Sequence, residues 1–206
     1  RSQHFRSLRL RLHATSGTEK RTNATNGDSE VIQTYTGKLI NPFADENEDC
    51  GPIVLMDIAH ALSNLCRFNG HVKRFYSVGE HSLYVSALLE HHEPATQAWG
   101  LLHDAAEAYL GDMVRPLKQR MPEFQAIEDR MLQCIAQRFG LVWPIPDVVF
   151  DADDIMLATE FRDLMHSPPQ SPLRMQPFPV PIPHHIGSPE VIRGLFMTRA
   201  AELGLT

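Results

Sequence analysis

The residues best suited to chemistry in this chain are a histidine and two carboxylates in one short stretch. His103 and Asp104 are adjacent, and Glu107 follows four residues after His103 and three after Asp104. Residues three and four apart share one side of an α-helix, so Glu107 projects from the same side as the His-Asp pair. One imidazole and two carboxylates on a helix predict a metal site with an acid or base beside it.

Apolar neighbours indicate that this stretch is buried. Leucines occupy positions 101–102 and alanines occupy 105–106, on either side of the pair. A buried charge is costly without a partner, so a cation or an arginine must compensate Asp104 and Glu107.

Two further candidate ligands lie on other predicted helices. His81 stands in the first turn of an earlier helix, and Asp153 stands within a later one. Asp151 and Asp154 compete with Asp153, because a run of carboxylates is usually a solvent-exposed face.

The elements that must position these side chains are mainly helices. Apolar spacing, capping residues and prolines predict helices over 55–66, 78–92, 95–110, 122–138, 147–165 and 189–203. Ser77 and Glu80 read as a capping box, and Asp147 as a helix cap. Gly111 and Gly140 stand where helices end.

The remaining segments differ from this helical pattern. A short hairpin or turn is predicted around Thr36-Gly37. The composition of residues 1–30 favours a disordered extension over a transit-like arm. Seven prolines make residues 167–187 an extended strap, more typical of a loop that wraps its own domain than of an SH3 ligand. We therefore expect one mostly α domain over 31–206.

The composition argues against a protein that binds nucleic acid over a broad surface, spans a membrane or depends on a disulfide framework. The 206 residues include 19 Lys+Arg and 25 Asp+Glu, which gives a net charge of −6 and argues against a broad grip on nucleic acid. No apolar run approaches the roughly 18 residues of a membrane span. Three widely separated cysteines make a disulfide framework or a cysteine zinc site improbable and favour a reducing cytoplasm.

The ligand candidates occur in a recognisable order, H…HD…D, formed by His81, His103-Asp104 and Asp153. This order resembles the HD superfamily of metal-dependent phosphohydrolases. The stretch L-H-D-A-A-E at 102–107, continuing to Gly111-Asp112, resembles the H-D-A-x-E…G-D stretch of bacterial 5′-deoxynucleotidases.

Three other segments extend the resemblance over about 31–165. S-V-G-E-H-S at 77–82 resembles the stretch with the first histidine of the family, and 152–160 resembles the stretch with its last aspartate, which favours Asp153. A-L-S-N-L-C-R-F-N-G-H at 61–71 is similar to phage dATP triphosphohydrolases of the same superfamily.

The resemblance implies an all-α HD-domain helical bundle with one divalent metal ion. His81, His103, Asp104 and Asp153 would hold Mn, Co, Fe, Ni, Zn or Mg, because two imidazoles and two carboxylates do not select among them. Glu107 and Asp112 would activate water and serve as a second acid or base, and which residue does which stays open.

A second group of residues is expected to contact the substrate. Arg67 resembles the arginine of the family that contacts phosphate or sugar, Phe68 could pack on a sugar or base, and Lys118 is a further phosphate candidate. A structural ion pair of Arg67 with Asp57 or Glu80 is the alternative.

The expected activity is hydrolysis of deoxyribonucleoside 5′-monophosphates, small-molecule substrates, to nucleoside and phosphate. A deoxynucleoside triphosphate triphosphohydrolase is the alternative enzyme. A metal- or nucleotide-binding module without turnover, and a scaffold that uses the strap, are alternatives of other classes. The resemblance is also compatible with a homodimer.

Overall fold

The computed structural model describes residues 31–44, 50–167, 169, 171–184 and 186–206, so the predicted extension at 1–30 lies outside the described residues. The strands are β1 (Ile32–Gln33) and β2 (Leu39–Ile40). The helices are α1 (Leu55–Asn64), α2 (Val78–Leu88), α3 (Pro94–Leu102), α4 (Glu107–Leu110), α5 (Arg115–Lys118), α6 (Pro122–Phe139), α7 (Asp147–Leu164) and α8 (Pro189–Glu202). A 3₁₀ helix covers Arg67–Gly70. The mostly helical architecture confirms the all-α expectation.

The predicted hairpin is present and is fastened to the helices by one carboxylate. β1 and β2 pair antiparallel, with Ile32 opposite Ile40. Asp57 on α1 accepts hydrogen bonds of 2.7 to 2.8 Å from the Thr34 hydroxyl and from the amide and hydroxyl of Thr36. Asp57 is therefore occupied by the hairpin turn and is not the partner of Arg67.

The apolar positions predicted for the helices form the core. α1 packs against α8 and α2, and α2 packs against α3. Ile58, Leu62, Trp99 and Phe196 are fully or almost fully buried where these helices meet. Within the described residues, no helix is long and apolar enough to cross a membrane.

One of the two predicted N-terminal helix caps is confirmed. The Ser77 hydroxyl accepts a hydrogen bond from the Glu80 amide at 3.0 Å, as in a capping box. The Glu80 carboxylate does not return to Ser77 but pairs with Arg74 at 2.6 Å. The cap assigned to Asp147 is wrong, because α7 begins at Asp147 itself and Pro146 takes the cap position.

The continuous helix predicted over 95–110 is also wrong. α3 ends at Leu102 and α4 begins at Glu107. Between them the Ala105 amide bonds the Leu102 carbonyl at 2.9 Å, and the Glu107 amide bonds the Asp104 carbonyl at 3.0 Å. Such bonds between residues three apart give a tighter turn in which residues i and i+3 eclipse. Asp104 and Glu107 therefore still share one side of the chain.

The proline-rich strap, residues 167–187, lies along α7 as an extended segment without helix in its described part. Arg162 donates to the Phe178 carbonyl at 2.6 Å, and the Thr159 hydroxyl accepts from the Phe178 amide at 2.8 Å. Asp163 accepts from the Ile182 amide at 2.8 Å. The strap is thus hydrogen-bonded to α7 of the same chain.

The cysteines differ from the expectation. Cys50, just before α1, forms a disulfide with Cys134 on α6, across 84 positions of sequence, and Cys66 is a free thiol. The prediction that a disulfide is improbable was wrong for this pair. The pairing depends on α6 packing against the segment before α1, which no local pattern reveals.

Candidate metal centre and adjoining clefts

The predicted metal ligands come together from α2, α7 and the turn between α3 and α4. His81 Nε2 lies 3.2 Å from His103 Nε2 and 3.7 Å from Asp104 Oδ2, and His103 Nε2 lies 3.3 Å from the same oxygen. Ligands bound to one ion at about 2.0–2.2 Å are roughly 3 to 3.6 Å apart at right or tetrahedral angles. His81, His103 and Asp104 could therefore hold a metal ion. Asp153 Oδ1 adds a fourth donor 3.1 Å from His81 Nε2.

Both imidazoles are oriented through their other nitrogen. His81 Nδ1 donates to the Glu160 carboxylate at 2.6 Å, and His103 Nδ1 donates to the Gly100 carbonyl at 2.9 Å. Metal-binding histidines almost always donate this second nitrogen to a carboxylate or carbonyl, which fixes the tautomer. The two Nε2 atoms lie 3.2 Å apart within the cluster, where both could bind a cation after His81 has lost its second proton.

The charges in the cluster are strongly coupled. Burial and Arg67 oppose protonation of His81, but the carboxylates of Glu160 and Asp153 outweigh them and raise its pKa to about 9. Burial alone favours neutral carboxyl groups, yet His103, His81 and Arg67 hold the pKa of Asp104 well below its usual range. His81 and His103 lower the pKa of Asp153 to about 2 against the same burial. The carboxylates are thus ionised at neutral pH, ready to bind a cation.

Arg67 is the structural cation of this cluster. Its guanidinium contacts Asp104 at 3.2 Å and Glu160 at 3.2 Å, and its side chain is 12% exposed. The alternative prediction that Arg67 forms a structural ion pair is therefore correct. The predicted partners are wrong, because Asp57 bonds the hairpin and Glu80 pairs with Arg74.

Glu160 is the functional residue that sequence reasoning missed. It is fully buried and joins Arg67 to His81. A signal was available: Glu160 follows Asp153 by seven residues, two turns of α7, and so lies on the same face.

Glu107 and Asp112, the predicted acid and base, lie beside the metal centre. Glu107 is buried, and its Oε2 has no hydrogen-bond partner in the described part of the chain. Burial, with Asp104 and Asp112 nearby, raises the pKa of Glu107 well above its ordinary value. Burial also raises the pKa of Asp112. Lys118 lies 3.9 Å from Glu107 but is bonded to Glu128 at 2.7 Å.

Glu107→Gln is expected to stabilise the metal-free protein increasingly as pH rises from 4 to 8. A folded-state pKa above the unfolded value means that ionisation favours the unfolded chain, so the wild type loses stability with pH and the Gln variant does not. We expect a gain of about 1–3 kcal/mol at pH 8, the typical cost of an unsatisfied buried polar group. Chemical denaturation with EDTA present would measure it, and a difference independent of pH would show that Glu107 ionises normally.

A cleft of about 720 Å³ opens over the metal centre. Its lining includes most of the predicted site residues: Arg67, Phe68, Asp104, Glu107, Asp112, Lys118 and Asp153. Strap residues Pro172 and Leu173 form part of the wall. The volume is in the range of small-molecule sites.

Phe68 presents an aromatic ring to this cleft from an uncommon backbone conformation. Phe68 and Asn69 have φ of 56° and 51°, in the left-handed region. Such conformations cost about 1–3 kcal/mol each and concentrate at functional sites. The Phe68 ring packs edge-on against Phe161, with centroids 5.7 Å apart.

A second cleft of about 480 Å³ reaches the same centre. It shares Asp104, Arg115, Lys118 and Asp153 with the first cleft and adds apolar and aromatic residues, including Trp143 and Phe150. The candidate metal centre therefore lies where two clefts meet.

No family model matches the chain. The chain is 42% identical over 133 residues to an uncharacterized protein of Escherichia coli K12, YfdR, an alignment that spans 65% of this chain and 71% of YfdR. It is also 39% identical over 101 residues to an uncharacterized protein of Rhodobacter capsulatus, with 46% of this chain and 52% of that protein covered. On the extent and identity of the first match, the chain belongs to the protein family of E. coli YfdR.

Proposed function

We propose that the protein is a metal-dependent phosphohydrolase of the HD type that cleaves deoxyribonucleoside 5′-monophosphates to nucleoside and phosphate. The observation that carries the proposal is the convergence of His81 Nε2, His103 Nε2 and Asp104 Oδ2, 3.2 to 3.7 Å apart, beside a nucleotide-sized cleft, with Asp153 Oδ1 3.1 Å from His81 Nε2. The order of these residues in the sequence, and the Glu107 and Asp112 carboxyls beside them, support the same assignment.

The donor set fits a divalent cation. His81, His103, Asp104 and Asp153 offer two nitrogens and two oxygens, which suits Mn, Co, Fe, Ni, Zn or Mg. A bound ion would polarise a phosphoryl oxygen and lower the pKa of a water. Glu160 and the Gly100 carbonyl hold the two histidines in the required tautomer.

The other residues supply binding and proton transfer. Glu107, whose pKa is raised by burial, is suited to accept a proton from the attacking water, because a useful base has a pKa closer to neutrality than a free carboxylate. Asp112, less buried in the cleft wall, would return a proton to the leaving 5′-oxygen. Phe68 offers a face for the sugar or base, and Lys118 adds positive charge beside Glu107.

A triphosphohydrolase is the second candidate, and the second cleft is the observation that favours it. Arg115 and Lys118 line both clefts, so a longer phosphate chain could extend from one cleft to the other past two cations. The product separates the candidates, since this enzyme would release triphosphate.

Product analysis tests the proposal. Purified protein with added Mn²⁺ or Co²⁺ is incubated with deoxynucleoside mono- and triphosphates, beside an Asp104→Asn preparation that exposes any contaminating phosphatase. We expect orthophosphate from monophosphates, absent in the variant. Triphosphate release would replace the first candidate by the second. No product from either substrate with metal bound would overturn both and leave a binding module.

A further inference from the structure

Among the residues that the structure describes, three cations line the two clefts, and two of these cations are held by nearby carboxylates. Arg67 is 12% exposed and contacts two carboxylates. Lys118 is 25% exposed, with its Nζ 2.7 Å from Glu128. Removing one partner from a buried pair leaves an uncompensated charge, so these cations are poorly placed to leave their carboxylates for a ligand.

Arg115, the first residue of α5, is held differently. Its side chain is 55% exposed, and its guanidinium lies 3.1 Å from Asp154 Oδ1 and 3.4 Å from Asp153 Oδ2. The guanidinium of Arg115 stays in contact with water, so Arg115 can leave these contacts without being desolvated, whereas the Asp153 and Asp154 side chains, 17% and 10% exposed, need other compensation. It is also among the residues that line both clefts.

Asp154 has a second partner that stays in place when Arg115 leaves. Arg174 of the strap lies 3.0 Å from Asp154 Oδ2 and also contacts Asp151. Each oxygen of Asp154 therefore has its own arginine, and the carboxylate is still compensated after one departs. Asp153 is also a candidate metal ligand, so its attraction for Arg115 falls once its charge is shared with a cation.

We propose that Arg115 is a phosphate-binding residue of this site, exchanging Asp153 and Asp154 for the phosphoryl oxygens of the substrate. The inference rests on the proposed function and deepens it, because it shifts phosphate binding from Arg67 to Arg115. The planar guanidinium matches two phosphate oxygens at once, which an ammonium does not. Arg67 then acts as a positioning residue that neutralises Asp104 and Glu160.

Calorimetric binding of inorganic phosphate to the Mn²⁺-loaded protein tests the inference without requiring turnover. Arg115→Gln is expected to raise the Kd for phosphate about 10- to 100-fold, as for loss of a charge-assisted bond pair. Arg115→Lys should recover part of the loss. Arg174→Gln is the matched control, since it removes the other arginine from Asp154 and is not among the described residues that line these two clefts. Because Asp154 then holds Arg115 more strongly, Arg174→Gln should raise the Kd about two- to threefold, clearly less than the loss of Arg115 itself.

The outcomes separate the inference from the function it rests on. If Arg115→Gln and Arg174→Gln weaken phosphate binding equally, the loss arises from the uncompensated charge of Asp154, and the inference is overturned. Hydrolysis of deoxynucleotides with an unchanged Kd and KM in Arg115→Gln would overturn it while the proposed function stands. If phosphate binding depends on Arg115 but the wild-type protein hydrolyses no deoxynucleotide, the phosphate-binding role of Arg115 is supported and the proposed enzymatic function is wrong.

Discussion

Asp104→Asn is expected to bind Mn²⁺ at least about 100-fold more weakly than the wild-type protein and to lose at least about 1000-fold of any phosphohydrolase activity. Asp104 Oδ2 lies within 3.7 Å of both histidine Nε2 atoms, so it is the oxygen common to the cluster. An amide oxygen keeps the shape but not the charge, and a divalent cation depends on the charge.

The measurement is Mn²⁺ affinity by calorimetry, with hydrolysis followed in parallel. Circular dichroism should show a folded variant, because Glu160 still neutralises Arg67 and Asp153 still faces His81. Asp151→Asn is a matched control on the same run of carboxylates as Asp153, and it should bind Mn²⁺ within about twofold of the wild type. If Asp104→Asn binds Mn²⁺ as tightly as the wild type, the cluster is a structural ion-pair network and not a metal site.

Glu160→Leu is expected to lower the free energy of unfolding by about 3–5 kcal/mol, the usual cost of removing one partner from a buried ion pair. Glu160 is fully buried and is shared by Arg67 and His81. Its pKa is lowered, because Arg67 and His81 outweigh the effect of burial. The carboxylate therefore stabilises the fold at neutral pH, and this contribution is lost as pH falls below the ordinary glutamate range.

A double-mutant cycle with Arg67→Met identifies the source of the loss. If the buried charge of Arg67 causes the instability, the double variant will be more stable than the sum of the two single effects predicts. Strictly additive losses from urea denaturation would contradict the ion-pair explanation. Glu160→Gln, which keeps the side-chain shape and an oxygen acceptor for His81, should still weaken Mn²⁺ binding about 10- to 100-fold, because the negative charge that makes His81 a stronger ligand is lost.

Much of the fold could be predicted from local patterns. The Ser77 cap, the apolar spacing in α1 and the end of α6 at Gly140 depend on neighbours a few residues away. The ligand candidates were also accessible, because His81, His103-Asp104 and Asp153 have distinctive types in a distinctive order, and the structure brings them together.

The parts that escaped prediction depend on contacts between distant segments. The partners of Arg67 are 37 and 93 residues away, so nearby acids such as Asp57 and Glu80 seemed equally suitable. The Cys50–Cys134 pairing has the same origin. The break between α3 and α4 differs, since two of its four residues, Ala105 and Ala106, are strong helix formers and the tight turn forms against their propensity.

The attachment of the strap has a consequence for redesign of the cleft. α7 holds the strap through main-chain atoms of residues 178–182, namely the Phe178 amide and carbonyl, the Val180 carbonyl and the Ile182 amide. It also holds the Arg174 side chain through Asp151 and Asp154. None of these anchors uses the side chain of Leu173. Leu173, which faces the first cleft, can therefore be exchanged to reshape the wall while the segment stays in position. Libraries that vary this position would therefore alter which ligands the cleft accepts.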